Sequence, residues 1–379
     1  MTPITVKDRK EIPALIQALL SLKEEIDDTN DQKVKELETQ LADANEKIKA
    51  LEAEKNLSEE KELEKKALKY FSKGVEYSLT GEHEKAAEKY EVVTDFKKDF
   101  HDAYYNWGTG LGILAQDKEG IEKESLYTQA FEKYELAIQY KEDKHEAYNN
   151  WGNDLAKLAQ DKEGIEKESL YIQAFEKFQF ATQCKKDFHQ AYHNWGTELG
   201  SLAQEKEGIE KESLYTQAFE KYQLATQYKK DDYEAYYNWG TELGILAEEK
   251  EGIEKESLYT QAFEKFQFAT QYKEDFHDAY NNWGTGLARL TQEKEGKEKE
   301  KLLTQAFEIW KKGVAVGGNA YHLAYLYILT QQKEHALHYL ALSLERKEVS
   351  TVFVLEDGKW KDYKQDSSFL KIIAKYATS

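Results

Sequence analysis

Histidine is the residue whose placement first invites chemistry. His101, His145 and His189 follow one another at intervals of 44, and His277 returns two intervals later. Imidazoles in a row could ligate a metal or relay protons, because their unperturbed pKa lies near neutrality. Tyr233 breaks the series by standing where the fourth histidine is due, and tyrosine is a poor substitute for a zinc ligand. Stacked helical layers carrying one histidine each would also hold them roughly 10–20 Å apart, too far to share an ion. The histidines therefore read as packing residues at helix entries, with no metal and no cofactor expected.

Cys184 is the only cysteine, so no intrachain disulfide can form. It replaces the tyrosine found at 140, 228 and 272, and nothing nearby marks the base that a thiol nucleophile needs. A glycine-rich phosphate loop, HExxH and CxxC are all missing from the sequence. The many Glu–Lys pairs, such as Lys118 with Glu122 and Glu119 with Lys123, have the i, i+4 spacing of a solvated helix. The sequence predicts no enzyme.

The elements that carry these residues are set by a repeat. Trp107, Trp151, Trp195, Trp239 and Trp283 are each 44 residues apart. Around each lie two amphipathic stretches, for example "AYYNWGTGLGILAQ" (103–116) and "SLYTQAFEKYELAIQYK" (125–141). Tyr104, Trp107, Leu111 and Leu114 share one helical face, as do Tyr127, Ala130, Tyr134 and Ala137. "DKEG" separates them, and Gly120 can adopt the left-handed conformation that ends a helix. An array of helical hairpins must stack its units to bury their apolar faces.

Composition agrees with this reading. The 379-residue chain has only two prolines, and 33% of its residues are charged and 13% aromatic, which favours long helices over disorder. Its net charge of −19, from 72 acidic and 53 basic residues, argues against nucleic acid or an anionic membrane as partner. "IPALIQALLSL" (12–22) is too short to span a bilayer, which takes about 20 apolar residues, and lacks a cleavage site. A soluble, cytoplasmic protein is expected.

The unit resembles the tetratricopeptide repeat. The consensus places a large apolar residue at 4, apolar-Gly at 7–8, Ala at 20, an aromatic at 24 and Ala at 27. Tyr104, Trp107-Gly108, Ala130, Tyr134 and Ala137 match it once ten inserted residues, "DKEGIEKESL" and its variants, are allowed between the helices. That insertion is expected to lengthen both helices by about a turn. The stretch 67–100 matches without insertion, through Gly74, Tyr77, Gly81, Ala86 and Tyr90.

The resemblance implies an all-α solenoid, a right-handed superhelix of seven units: 67–100, 101–144, 145–188, 189–232, 233–276, 277–316 and 317–350. A capping helix is expected over 351–379. Gly108 and Ala130 would mark close helix approach, with Trp107 filling the space beside them. Losing any of the five tryptophans is then expected to cost about 3–5 kcal/mol.

Residues 1–66 lie outside the repeats and form a charged helical segment. Leu15, Leu19, Leu22 and Ile26 make one heptad stripe; Val34, Leu37, Leu41, Ala44, Ile48 and Leu51 make another. If helical throughout, 9–66 would extend about 87 Å. The stripes predict a coiled coil for homo-oligomerisation or tethering; a helix folded back on the solenoid is the competing arrangement.

In repeats of this kind the first helix lines a concave groove through its positions 2, 5, 9, 12 and 13. Position 5 varies between units (Tyr105, Asn149, His193, Tyr237, Asn281), and position 6 is always asparagine (Asn106, Asn150, Asn194, Asn238, Asn282). Asn153 at position 9 and Lys157 and Arg289 at position 13 complete the candidate partner-binding residues. The lysine pair with which some members clamp a C-terminal carboxylate does not recur here. Asp102, Glu146, Glu234 and Asp278 at position 2 instead favour a polar or basic protein segment. The expected function is a non-enzymatic interaction scaffold; the alternative is a structural protein whose solenoid binds further copies of itself.

Overall fold

The structure, a computed structural model, describes residues 28–53 and 59–377, with side chains within 34–46 and 61–377. The described residues form helices and turns, with no β-strand among them. The chain divides into two compact units between Lys186 and Asp187. The first contains α1 (Asp28–Ala53), α2 (Glu59–Leu79), α3 (His83–Phe96), α4 (His101–Gln116), α5 (Gly120–Tyr140), α6 (His145–Gln160) and α7 (Gly164–Cys184). The second opens with α8 (His189–Gln204), α9 (Gly208–Tyr228), α10 (Tyr233–Glu248), α11 (Gly252–Tyr272) and α12 (His277–Leu290). It continues with α13 (Gly296–Ala315), α14 (Tyr321–Leu329), α15 (Lys333–Glu345), α16 (Thr351–Glu356) and α17 (Ser367–Tyr376).

Helices α4/α5, α6/α7, α8/α9, α10/α11 and α12/α13 pair as hairpins. The reason is steric. A Cβ at Gly108 would stand 2.9 Å from the Tyr134 ring, and one at Gly152 would stand 2.8 Å from Phe178. Only glycine lets the second helix seat its fully buried aromatic against the backbone of the first.

The inserted residues do not lengthen the two helices equally. The second helix has 21 residues in α5 against 14 in α3, a gain of two turns, whereas the first ends only three positions later. Gly120 is left-handed, with φ +55°, but it opens α5 instead of closing α4. Helix α4 has already ended at Gln116, where the Asp117 N–H folds back on Ala115 and Leu114, and Glu119 is extended. The positive φ redirects the chain out of that extended residue into the next helix.

The five register tryptophans are half-buried. Trp107, Trp151, Trp195 and Trp239 each lie under a lysine from the second helix of their own hairpin, at 4.0, 3.5, 3.9 and 3.8 Å. Trp151 also stacks on Phe131, and Trp239 on Phe219, from the preceding hairpin. The tryptophans therefore seal the edge of each layer, while Tyr134, Phe178, Tyr222, Phe266 and Trp310 fill its centre. Their removal should cost less than the figure for a fully buried ring.

In the first unit α1 folds back on the repeats. Leu37, Leu41 and Ala44 are buried with Ala67, Leu68, Phe71 and Val75 of α2. Asn106 Nδ2 donates to Gln40 Oε1 at 2.7 Å, and Ser72 Oγ donates to Asn45 Oδ1 at 3.2 Å. The described part of the second heptad stripe thus packs on its own chain. The stripe of Leu15, Leu19, Leu22 and Ile26 lies outside the described residues.

The tail of the second unit is not one capping helix. It is divided into α16, a 3-10 turn over Gly358–Tyr363, and α17. Asp357 and Asp366 cause the breaks by accepting hydrogen bonds from the N–H groups of Lys359, Ser368 and Phe369. Trp360, fully buried, donates to Tyr321 Oη at 2.9 Å and anchors the tail to α14.

Candidate partner-binding face

Within each compact unit the first helices of successive hairpins are joined by a polar ladder. Asn150 Nδ2 of α6 donates back to Tyr105 Oη and Thr109 Oγ1 of α4, each at 3.2 Å. In the second unit Asn238 Nδ2 lies 3.0 Å from His193 Nε2 and 3.3 Å from Thr197 Oγ1, and Asn282 Nδ2 reaches Tyr237 and Thr241, each at 3.2 Å. Position 6 is therefore asparagine because the next layer must reach positions 5 and 9 of the one before. The repeated asparagines have a structural duty on their amide nitrogens, while the Oδ1 atoms of Asn238 and Asn282 remain as acceptors. Asn149 Nδ2 donates to Asn150 Oδ1 at 3.2 Å.

Asn153 and Lys157 line a small polar cavity of about 80 Å³ with Thr109, Tyr134, Asn150 and Asp154. Asn281 accepts from Trp310 Nε1 through its backbone carbonyl at 3.2 Å, while its side-chain Oδ1 is buried with no hydrogen-bonding partner among the described residues. Arg289 pairs with Glu248 at 3.2 Å. Tyr105 is buried, whereas His193, Asn194 and Tyr237 are half-buried. A larger cavity of about 520 Å³, lined by Phe307, Lys311 and Tyr327, lies away from these residues, between α13 and α14.

The first segment of this face already has an occupant. Leu68, Phe71 and Val75 hold positions 2, 5 and 9 of the 67–100 repeat, and α1 covers them. Gln40 of the same helix takes the hydrogen bond from Asn106 that elsewhere joins two first helices.

Two sets of charged residues escaped the sequence reading. The turn residue before each first helix runs Phe100, Lys144, Phe188, Asp232, Phe276. Lys144, only 5% exposed, lies 3.0 Å from Asp102 and 3.6 Å from Glu146, with its ammonium 4.7 Å over the Tyr105 ring. Burial raises the Asp102 pKa, but hydrogen bonds and charge from His101 and Lys144 outweigh it and hold the carboxyl well below the usual range. Burial likewise opposes the Lys144 charge, and Asp102 and Glu146 more than restore it. Eighty-eight residues on, Asp232 lies 3.1 Å from His189 Nδ1 and 3.7 Å from His193 Nδ1, and its Oδ1 caps α10 through the Ala235 N–H. Burial lowers His193 despite the Asp232 charge.

The second set is a buried carboxyl under each tyrosine-bearing layer. Tyr134 Oη donates to Asp154 Oδ2 at 2.9 Å, and Tyr222 Oη to Glu242 Oε1 at 2.6 Å. Each acid lies against a glycine, Gly112 or Gly200, where a Cβ would collide with the carboxylate. Glu242 Oε2 is buried with no hydrogen-bonding partner among the described residues, and burial, with the Glu198 charge adding to it, raises Glu242 well above the carboxylate range. The alternation of Tyr134, Phe178, Tyr222 and Phe266 carried the signal. Comparing every second unit would have found it.

The recurrent histidines each lie beside a carboxylate: Asp102, Glu146, Asp232 or Asp278. Among the described residues no three His, Cys, Asp or Glu side chains are grouped to hold a metal ion. No described helix is long and apolar enough to cross a membrane.

The chain's own geometry defines an all-α array of tetratricopeptide-like hairpins. The solved structures that it is similar to include the C-terminal part of a TPR repeat-containing protein from Cytophaga hutchinsonii, at 14% identity and TM-score 0.48, over 73% of this chain and 94% of that one. PilF of Pseudomonas aeruginosa aligns over 83% of this chain and 99% of its own, at 13% identity and TM-score 0.41. A thermophilic TPR protein of Thermus thermophilus aligns over 58% and 98%, at 13% identity and TM-score 0.42. No protein-family model and no curated protein matches the sequence.

Proposed function

We propose that the protein is a non-enzymatic interaction scaffold that binds a polar or basic protein segment on the face built by its first helices. The seating of α1 is the observation that carries this reading, because it is an amphipathic helix already held there through Leu37, Gln40 and Leu41. Beyond α1 the face changes character. The asparagine ladder spends its amide donors within the protein and leaves the Oδ1 atoms of Asn238 and Asn282 as acceptors, and Glu146 and Glu234 add carboxylates. Such a surface favours backbone N–H groups, lysine and arginine over carboxylates. Lys144 is buried and committed to Asp102. Homo-oligomerisation through 9–66 now rests on Leu15–Ile26, since the described stripe is covered.

The test is fluorescence anisotropy of the full-length protein against labelled amphipathic peptides that differ only in carrying lysine or glutamate. The lysine peptide should bind, and Glu146→Lys with Glu234→Lys should weaken it about tenfold or more. Equal binding by that double variant, or preference for the glutamate peptide, defeats the proposal. Sedimentation velocity covers the self-assembly alternative: association of the protein with itself that the lysine peptide cannot displace would replace it.

A further inference from the structure

The insertion that lengthens the second helices contains one octapeptide, "KEGIEKES", four times unchanged, at 118–125, 162–169, 206–213 and 250–257. In the first copy nearly every residue has an internal task. Gly120 supplies the positive φ that starts α5. Lys118 pairs with Glu122 at 2.8 Å, Lys123 with Asp161 at 2.5 Å, and Glu124 with Lys162 at 2.7 Å, so neighbouring extensions are stapled together. Ser125 Oγ accepts from Gln129 at 3.3 Å. Staples of the same kind recur in the second unit, as Lys211–Glu249 at 2.6 Å and Lys255–Glu293 at 2.9 Å.

The isoleucine has no such task. Ile121, Ile165 and Ile209 are 87% exposed and Ile253 is 88% exposed, far more than any other large apolar side chain described. Single exposed apolar residues need no explanation, but these four are held on stapled ridges, one ridge with two isoleucines in each compact unit. Recent duplication does not account for them either, because other exposed positions of the same helices have changed. Glu135 became Gln179, Gln223 and Gln267, and Thr128 became Ile172 in the second copy. In the fifth copy the octapeptide reads "KEGKEKEK", with Lys297 at the isoleucine position, so the fold tolerates a polar residue there.

We infer that these ridges, on the second helices of each unit and separate from the first-helix face, each dock a basic protein segment with interleaved apolar side chains. The isoleucines supply the desolvation and the surrounding charge selects the partner. Each copy with the residue before it, "DKEGIEKES" or "EKEGIEKES", carries four acidic residues to two lysines, and each ion pair takes up one of each sign, so the excess stays acidic. A second copy of this chain would bring the same acidic excess, on top of a net charge of −19, and an anionic membrane would be repelled in the same way.

The experiment uses full-length protein and a fluorescent helical peptide with one leucine face and one lysine face. The variant is Ile121→Ser, Ile165→Ser, Ile209→Ser and Ile253→Ser together, which keeps every charge. Circular dichroism should give the same helicity and melting curve as the parent, as Lys297 implies. In the Glu146→Lys with Glu234→Lys background, where the first-helix face is silenced, the remaining binding should weaken about tenfold or more when the four serine substitutions are added. Failure of the peptide to bind, or equal binding with and without the serine substitutions in that background, overturns the inference. So does self-association of the parent that the serine variant loses, which would make the occupant a second copy.

Discussion

The two compact units solve one problem with opposite charges. In the first, the turn before a first helix buries a cation, Lys144, between Asp102, Glu146 and the Tyr105 ring. In the second, the equivalent turn buries an anion, Asp232, between His189 and His193. Asp102 corresponds to Gln190 and Tyr105 to His193, so the neighbours change with the turn residue. The lesson concerns what a buried charge in such an array requires. Its sign is free, provided that its shell changes with it, because an uncompensated charge at that burial is costly.

The largest effect should come from changing the sign without the shell. Lys144→Asp places an acid beside Asp102 and Glu146 and should destabilise the first unit by about 3–5 kcal/mol. Hydrogen exchange read by mass spectrometry would show α4–α6 losing protection while α10–α13 keep theirs. Adding Asp102→Gln and Tyr105→His rebuilds the second unit's shell, since His101 already stands where His189 does, and should restore most of the protection. If the triple variant is no better than the single one, the junctions are not interchangeable.

Next in size are the tyrosine hydroxyls. Tyr134→Phe and Tyr222→Phe each leave a buried carboxyl without its donor, at a cost of about 1–3 kcal/mol by chemical denaturation. Phenylalanine already fills the corresponding place in Phe178 and Phe266, so packing alone predicts no loss.

The pH response should separate the turn charges from the buried acid, with the raised Glu76 and lowered His145 of the first unit adding losses of the same signs as Glu242 and His193. Asp102 is held low and Lys144 high. Their contributions are present above the ordinary Asp value of about 3.9 and below the ordinary Lys value of about 10.4, a wide window. In the second unit Glu242 is raised, so its contribution is full below about 4.3 and is lost as pH climbs through its own higher value. His193 is lowered, so its contribution is full above about 6.5 and is lost as pH falls through its own lower value. Calorimetry from mildly acidic to mildly alkaline pH should therefore show the second unit losing stability at both ends. Glu242→Gln should flatten the alkaline side only.

The smallest effects should come from the inter-hairpin staples. Lys123→Ala with Lys162→Ala in the first unit and Lys211→Ala with Lys250→Ala in the second should shift melting slightly and equally. Molar salt should erase the difference from the parent, because solvated ion pairs are screened. An unequal loss would mean that the ridge is built differently in the two units.

Helical hairpins, their period and the tight glycine contacts were legible because each is a local fact. An i, i+3, i+7 stripe makes a helix, and a small residue every 44 positions marks where two helices touch. The register tryptophans were legible as packing residues, but not as half-exposed seals under Lys133, Lys177, Lys221 and Lys265. The asparagines at position 6 were read as a binding surface, and the structure shows their amide groups joining layers. Reading each unit against its neighbour concealed Lys144, Asp232, Asp154 and Glu242, whose meaning appears only across every second unit.

The sequence alone therefore determined the periodic skeleton, since backbone propensity and amphipathic spacing act within a few turns of chain. Tertiary structure decided what each stripe faces. Leu37, Leu41 and Ala44 form a heptad pattern that would suit a partner helix equally well, and they are buried on α2 because the chain turns back there. Ile121 and its repeats look like the apolar side of an ordinary helix, and the structure leaves them exposed near the start of the lengthened second helices. Periodicity specifies that a face needs a neighbour, and only the path of the chain determines whether one is present.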